Sequence, residues 1–226
     1  MRKFYFLFFI LFLISFVYFL PVTKKDFLDI YKKKDRISEQ FLSIKKESIN
    51  KVIINHVEWN YIIKKNKKPS TSTILFLHGM TGSFDIWCQQ YYFFQEEFNV
   101  ISYTLPEAVR TLKDTARGIL KILEKENINK VILVGSSMGG YIAQYFLKKY
   151  PEKVEKVVFS NTFPPNTYFK DQNEFKAKLL FFLPEVLFDI IGKKQFKDVV
   201  LPTSLNSKPK PWKPIYFLSE IQNINS

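Results

Sequence analysis

Val131-Ile132-Leu133-Val134-Gly135-Ser136-Ser137-Met138-Gly139-Gly140-Tyr141-Ile142-Ala143-Gln144 is the stretch on which the reading of this chain turns. Four apolar residues, three of them β-branched, predict a buried strand, and residues 138–149 carry a helical pattern. Between them Gly135, Ser137 and Gly139 form a Gly-x-Ser-x-Gly turn with no loop on either side. Such a turn holds its serine in a strained backbone conformation, and small neighbours let strand and helix close around it, leaving the hydroxyl exposed above the sheet. The helix start adds its partial positive charge. A glycine-rich turn with a capping serine is the plain alternative; the direct strand-to-helix context favours a nucleophile elbow.

Working outward, short β-rich runs at 52–54, 57–63, 73–77, 99–103, 130–134 and 154–160 alternate with helical stretches after Phe84, at 107–124 and at 138–149. Strands separated by helices of about a dozen residues predict an α/β fold with a doubly wound, mostly parallel sheet. Residues 173–191 are strongly apolar, with Phe175, Leu179, Leu180, Phe181, Phe182, Leu187 and Phe188 interrupted by Pro184, and predict one or two amphipathic helices over the sheet edge. The tail, with Pro202, Pro209, Pro211 and Pro214, reads as turn-rich.

The succession of strand, His78-Gly79, strand, helix, Gly135-x-Ser137-x-Gly139, helix and strand resembles the α/β-hydrolase superfamily over residues 51–165. Within it, the elbow running into Ala143-Gln144, followed by Ser160-Asn161-Thr162-Phe163 and an apolar Leu/Phe helix pair, is similar to the maspardin branch. The resemblance implies an ester or acyl hydrolase with Ser137 as nucleophile. It also implies an oxyanion hole shared between the loop His78-Gly79-Met80 and the residue after the nucleophile, with the Met80 and Met138 backbone N–H groups as donors. Each such donor is worth on the order of 3 kcal/mol in the transition state. The maspardin-like branch implies instead a binding or adaptor role. No cofactor or metal is implied.

Two departures stand beside the resemblance. Triads of this family run serine, acid, histidine, yet the two histidines, His56 and His78, both precede Ser137. His78 reads as a structural hydrogen-bonding residue of the oxyanion loop, and His56 as a turn residue. Asn161 stands where some members carry a carboxylate, and Asp171, Glu174, Glu185, Asp189 and Asp198 end no recognisable strand. Thr104-Leu105-Pro106 replaces the Asp-x-Pro-Gly of many members. About sixty residues follow Pro165, too few for a lid, two strands and a closing helix, so the expectation is a domain lacking its C-terminal part.

From Phe4 to Leu20 every residue is apolar or aromatic except Ser15, and Lys24 and Lys25 follow Pro21. This run predicts an N-terminal transmembrane helix, an uncleaved anchor, because a removable signal peptide would show a small-x-small cleavage site. The cluster Lys24, Lys25, Lys32, Lys33, Lys34 and Arg36 outnumbers Arg2 and Lys3 and places the body in the cytoplasm; a signal-anchor with the domain outside stays open. The expected organisation is an anchor at 1–22, a helical lysine-rich spacer at 23–50, the hydrolase core at 51–165, and cap or lid-like helices with a proline-rich tail at 166–226. The net charge of +13 has no nucleic-acid motif or basic stripe behind it and favours an anionic membrane surface over nucleic acid. The lone cysteine, Cys88, excludes an internal disulfide. The expected substrate is a small hydrophobic or lipid-like ester, the competing class a non-catalytic hydrolase-fold binding protein, and the third possibility a truncated inactive fragment.

Overall fold

The structure, a computed structural model, describes residues 34–68, 71–80, 82–162, 164 and 183–195, together with 5, 9, 12, 13 and 15–22 near the N-terminus. The described part of Lys33–Pro165 is one compact unit, and the described residues on either side of it belong to another.

The compact unit is built on six strands: β1 (Asn50–Ile54), β2 (Val57–Lys64), β3 (Thr73–Leu77), β4 (Asn99–Thr104), β5 (Val131–Ser136) and β6 (Val154–Ser160). They lie in the order β1-β2-β4-β3-β5-β6. The sheet is mixed: β3 runs parallel to β4 and β5, and β5 to β6, while β2 is antiparallel to both β1 and β4. For the β1–β2 pair the reason is local. Only Asn55 and His56 join β1 to β2, both with positive φ (50° and 64°), and a two-residue turn of that kind allows only an antiparallel hairpin. The crossovers between β3, β4, β5 and β6 each contain a helix and give parallel pairing.

Helices cover both faces. Under α3 (Leu112–Lys125) and α4 (Met138–Lys149), Trp59, Tyr61, Leu75, Leu77, Ile101, Tyr103, Val131 and Leu133 pack with Ala116, Ile119, Ile122, Leu123, Ile142, Ala143 and Phe146. On the opposite face Phe76 stacks on Trp87 with ring centroids 4.9 Å apart and meets Phe94 of α2 (Cys88–Phe94). α1 (Arg36–Ile44) packs on α2 and buries Phe41 and Ile44, each worth roughly 2 kcal/mol of apolar burial. Its start is fixed by Asp35, whose side chain accepts from the Ile37 and Ser38 N–H groups while the Ser38 hydroxyl accepts from the Asp35 N–H. β3 is buried along its whole length because it has strands on both sides and helices on both faces.

The predicted transmembrane helix is corrected. No helix among the described residues is long and apolar enough to cross a membrane. The described helical residues of the N-terminal run stop at Tyr18, where Phe19 and Leu20 form a turn before Pro21. The membrane localisation and membrane partner expected from that run lose their basis with it.

Of the region expected to form a cap and tail, the structure describes helix α5 (Glu185–Gln195), in which Asp189 pairs with Lys193. Apart from 183 and 184, the rest of 166–226, including Phe175, Asp171, Glu174 and Asp198, lies outside the described residues, as do residues 23–33 of the lysine-rich segment.

Candidate active site

Ser137 sits between the last residue of β5 and the first of α4, with φ 52° and ψ −119°. An L residue held there is strained by on the order of 1–3 kcal/mol, so the surroundings must over-determine it. They do so through its peptide groups. The Ser137 N–H donates to the Ser160 carbonyl at 3.2 Å, and its own carbonyl accepts from the Gly140 N–H at 2.9 Å. The same carbonyl also accepts from the Thr162 hydroxyl at 2.9 Å.

The elbow glycines supply room. None of the described glycines has a positive φ. A Cβ on Gly135 would stand 2.5 Å from the Gly139 carbonyl oxygen, and one on Gly139 would stand 2.0 Å from the carbonyl oxygen of Leu77. The first turn of α4 is therefore pressed onto the end of β3, which carries the second motif. That contact brings Gly79 against the serine: a Cβ there would meet Ser137 Cβ at 3.4 Å and Oγ at 3.8 Å. The next residue, Met80, leaves its side chain three-quarters exposed, while Met138 is half-buried against the core. As the first residue of α4, Met138 owns one of the backbone N–H groups that a helix cannot satisfy internally.

His78 lies beneath this loop, buried to 2% exposure. The Leu105 N–H donates to its Nε2 at 3.1 Å, which requires that nitrogen to be unprotonated. The ring proton is therefore on Nδ1, which donates to the Gly79 carbonyl at 2.8 Å. Burial pushes the imidazole below its ordinary pKa, partly countered by the bond to Gly79 and the charge of Asp85. Both ring nitrogens are committed, so His78 shapes the loop and has no free lone pair for a serine. His56 is exposed on the β1–β2 turn, and β4 and β3 both stand between that hairpin and β5. Asn161 follows β6 in a left-handed conformation, φ 48°, with an exposed side chain.

Two residues of this neighbourhood, Leu105 and Thr162, are read in the sequence only as parts of the stretches Thr104-Leu105-Pro106 and Ser160-Asn161-Thr162-Phe163, and not for the contacts they make. Leu105 acts through its backbone amide. Thr162 reaches Ser137 across the end of β6, and its trace in the sequence is Gly140: a Cβ at that glycine would fall 2.4 Å from Thr162 Cγ2. Among the described residues no group of three His, Cys, Asp or Glu side chains could hold a metal ion. A polar cavity of about 230 Å3 opens at the other end of the sheet, lined among others by Lys65, Thr73, Asn99, Glu126 and Lys130, and none of its walls belongs to the elbow.

A family model described as alpha/beta hydrolase fold matches residues 72–191. The chain is similar to the candidate esterase/lipase 3 of Mycoplasma pneumoniae, 29% identical over 153 residues, covering 59% of this chain and 52% of that protein. It is similar to Methylesterase 9 of Arabidopsis thaliana, 31% identical over 119 residues, covering 52% of this chain and 46% of that protein. The chain thus spans about half the length of these two relatives. Among solved structures, a candidate lipase of Acinetobacter baumannii matches with a TM-score of 0.52 at 18% identity, over 69% of this chain and 54% of that one. At that identity the likeness speaks to the fold alone.

Proposed function

Because the chain belongs to the α/β-hydrolase fold family, we propose that it is a serine hydrolase of ester or related acyl bonds, with Ser137 as nucleophile and the Met80 and Met138 amides as oxyanion donors. The observation that carries this reading is the backbone of Ser137, held at φ 52° and ψ −119° at the junction of β5 and α4. Strain of this kind persists where a side chain must be presented, and a capping serine has no need of it. The Ser137 side chain of the turn accepts no helix-capping hydrogen bond. In the proposed reaction Ser137 Oγ adds to the acyl carbon as its proton passes to solvent water and the carbonyl oxygen gathers negative charge between the two amides; the C–O bond to the leaving group then breaks, the alkoxide takes a proton from water and departs as the alcohol, and water hydrolyses the acyl-serine. The exposed Met80 side chain, one residue on from the Gly79 that approaches Ser137, suits a small hydrophobic ester. The esterase names of the two relatives support the same bond type.

Within this chain no histidine can serve as general base, so turnover is expected to be slow, with the oxyanion hole supplying residual rate. That same observation favours the second reading, a hydrolase-fold binding or adaptor protein of the maspardin kind. A fluorophosphonate probe separates the two. Slow labelling of the folded chain that disappears in Ser137→Ala supports the hydrolase; folded protein that stays unlabelled over many hours leaves the binding reading standing.

A further inference from the structure

Two hydrogen bonds of the elbow meet at a single peptide, the one joining Ser137 to Met138. Its oxygen accepts from the Thr162 hydroxyl and the Gly140 N–H, both at 2.9 Å. Its nitrogen is the Met138 amide. A trans peptide is planar, and its C=O and N–H point in opposite directions, so anything that fixes the oxygen also aims the N–H. No cis peptide bond occurs among the described residues.

We propose that Thr162 is a positioning residue of the site: its hydroxyl anchors the Ser137 carbonyl and thereby orients the Met138 N–H toward the place where the oxyanion forms. This rests on the reading of Met138 as an oxyanion donor and adds to it the device that sets its direction. Three local features converge on it. Asn161, at φ 48°, turns the chain sharply after β6 so that Thr162 returns over the elbow. Gly140 lacks the side chain that would occupy the space of the Thr162 methyl and hydroxyl, a Cβ there falling 2.4 Å and 2.5 Å from them. The Gly-x-Ser-x-Gly turn itself does not require that third glycine; the threonine does. Finally, a hydrogen bond to a peptide oxygen polarises its N–H and strengthens it as a donor, so the threonine supports both aim and strength.

The experiment compares Thr162→Val, which keeps the shape and removes the hydroxyl, with Thr162→Ser, which keeps the hydroxyl, both in the full chain. Two readouts are taken: the second-order rate of fluorophosphonate labelling at Ser137, and the Met138 amide resonance in protein labelled with 15N-methionine, where only Met1, Met80 and Met138 contribute. Thr162→Val is expected to slow labelling by about tenfold or more and to shift the Met138 resonance, and Thr162→Ser to restore both, without a matching difference in melting temperature. Wild-type labelling rate and an unmoved Met138 resonance in Thr162→Val would overturn the proposal, as would a failure of serine to restore them. If the wild-type chain does not label at all, the hydrolase reading falls, and the Met138 resonance still decides whether Thr162 sets that peptide. Should Thr162→Val not fold, Thr162→Ala is read by the same two criteria.

Discussion

The Leu105 amide donates to His78 Nε2 at 3.1 Å, tying the first residue after β4 to the first residue after β3. The bond exists only while the imidazole is neutral, and burial holds its pKa below the ordinary 6.5. Above that pH the folded and unfolded chains are both neutral here. As pH falls below it, the unfolded chain takes up a proton that the folded one refuses, and stability declines by at most about 1.4 kcal/mol per pH unit until the folded pKa is reached. Urea midpoints at pH 7.5 and 5.5 should therefore diverge more in the wild type than in His78→Gln, whose amide can accept and donate in the same places. Equal pH dependence would show that His78 is not the group responsible.

Ser137 carries strain that glycine would not. Ser137→Gly is expected to gain about 1 kcal/mol, the relief of an unfavourable φ less the extra chain entropy of glycine, while abolishing probe labelling. Ser137→Ala should lose labelling with no such gain, since alanine is strained at φ 52° too. Chemical denaturation of the three proteins is the check, and a glycine variant less stable than the alanine variant would contradict it.

Gly118 of α3 faces the indole of Trp59. A Cβ there would stand 2.1 Å from Trp59 Cζ2, and the ring is buried to 1% exposure, so it has nowhere to go. Gly118→Ala should cost about 2 kcal/mol despite the better helix propensity of alanine. In a double-mutant cycle with Trp59→Phe the two losses should sum to more than the double variant shows. Additive losses would mean that the crowding is relieved elsewhere.

Glu126 accepts from the Tyr61 hydroxyl at 2.6 Å and pairs with Lys65 at 2.9 Å. Burial by itself works against its charge, but the hydrogen bonds from Tyr61 and Lys65 and the nearby lysines outweigh it and hold the carboxyl below its ordinary value of 4.5. The stability this contributes is present above pH 4.5 and is lost as pH falls through the folded pKa. Glu126→Gln should flatten that acid limb. Tyr61→Phe should cost about 2 kcal/mol at neutral pH, because Tyr61 is fully buried and its partner charged, whereas the exposed Lys65 contributes little.

What the sequence discloses is what is settled by neighbours in the chain. The runs at Thr73–Leu77 and Val131–Ser136 are apolar because they are covered on both faces, and the elbow is legible because its strand, turn and helix are contiguous. The helix expected from residue 107 begins instead at Leu112. Val109 N–H first closes a turn onto the Pro106 carbonyl, and the Thr111 hydroxyl then caps the helix by accepting from the Asp114 N–H. That cap was written in the sequence but outweighed by the apolar pattern before it. The antiparallel hairpin of β1 and β2 follows from two residues, Asn55 and His56, whose conformations are not a matter of composition. The N-terminal run misled because hydropathy counts residues without regard to where a helix stops. Thr162 was beyond reach for a different reason, since a hydroxyl twenty-five positions from its acceptor leaves no periodicity to find.

The close approach of Gly139 to the Leu77 carbonyl joins points about sixty residues apart, and no local segment can reproduce it. Loop closure must already have brought β3 beside β5 before the peptide of Ser137 can be forced into its unusual torsion. The serine should therefore acquire its special reactivity late in refolding, after Trp59 and Trp87 are already buried. Timed addition of a fluorophosphonate would turn Ser137 into a clock for the final docking step, reporting the assembly of the whole sheet from one hydroxyl.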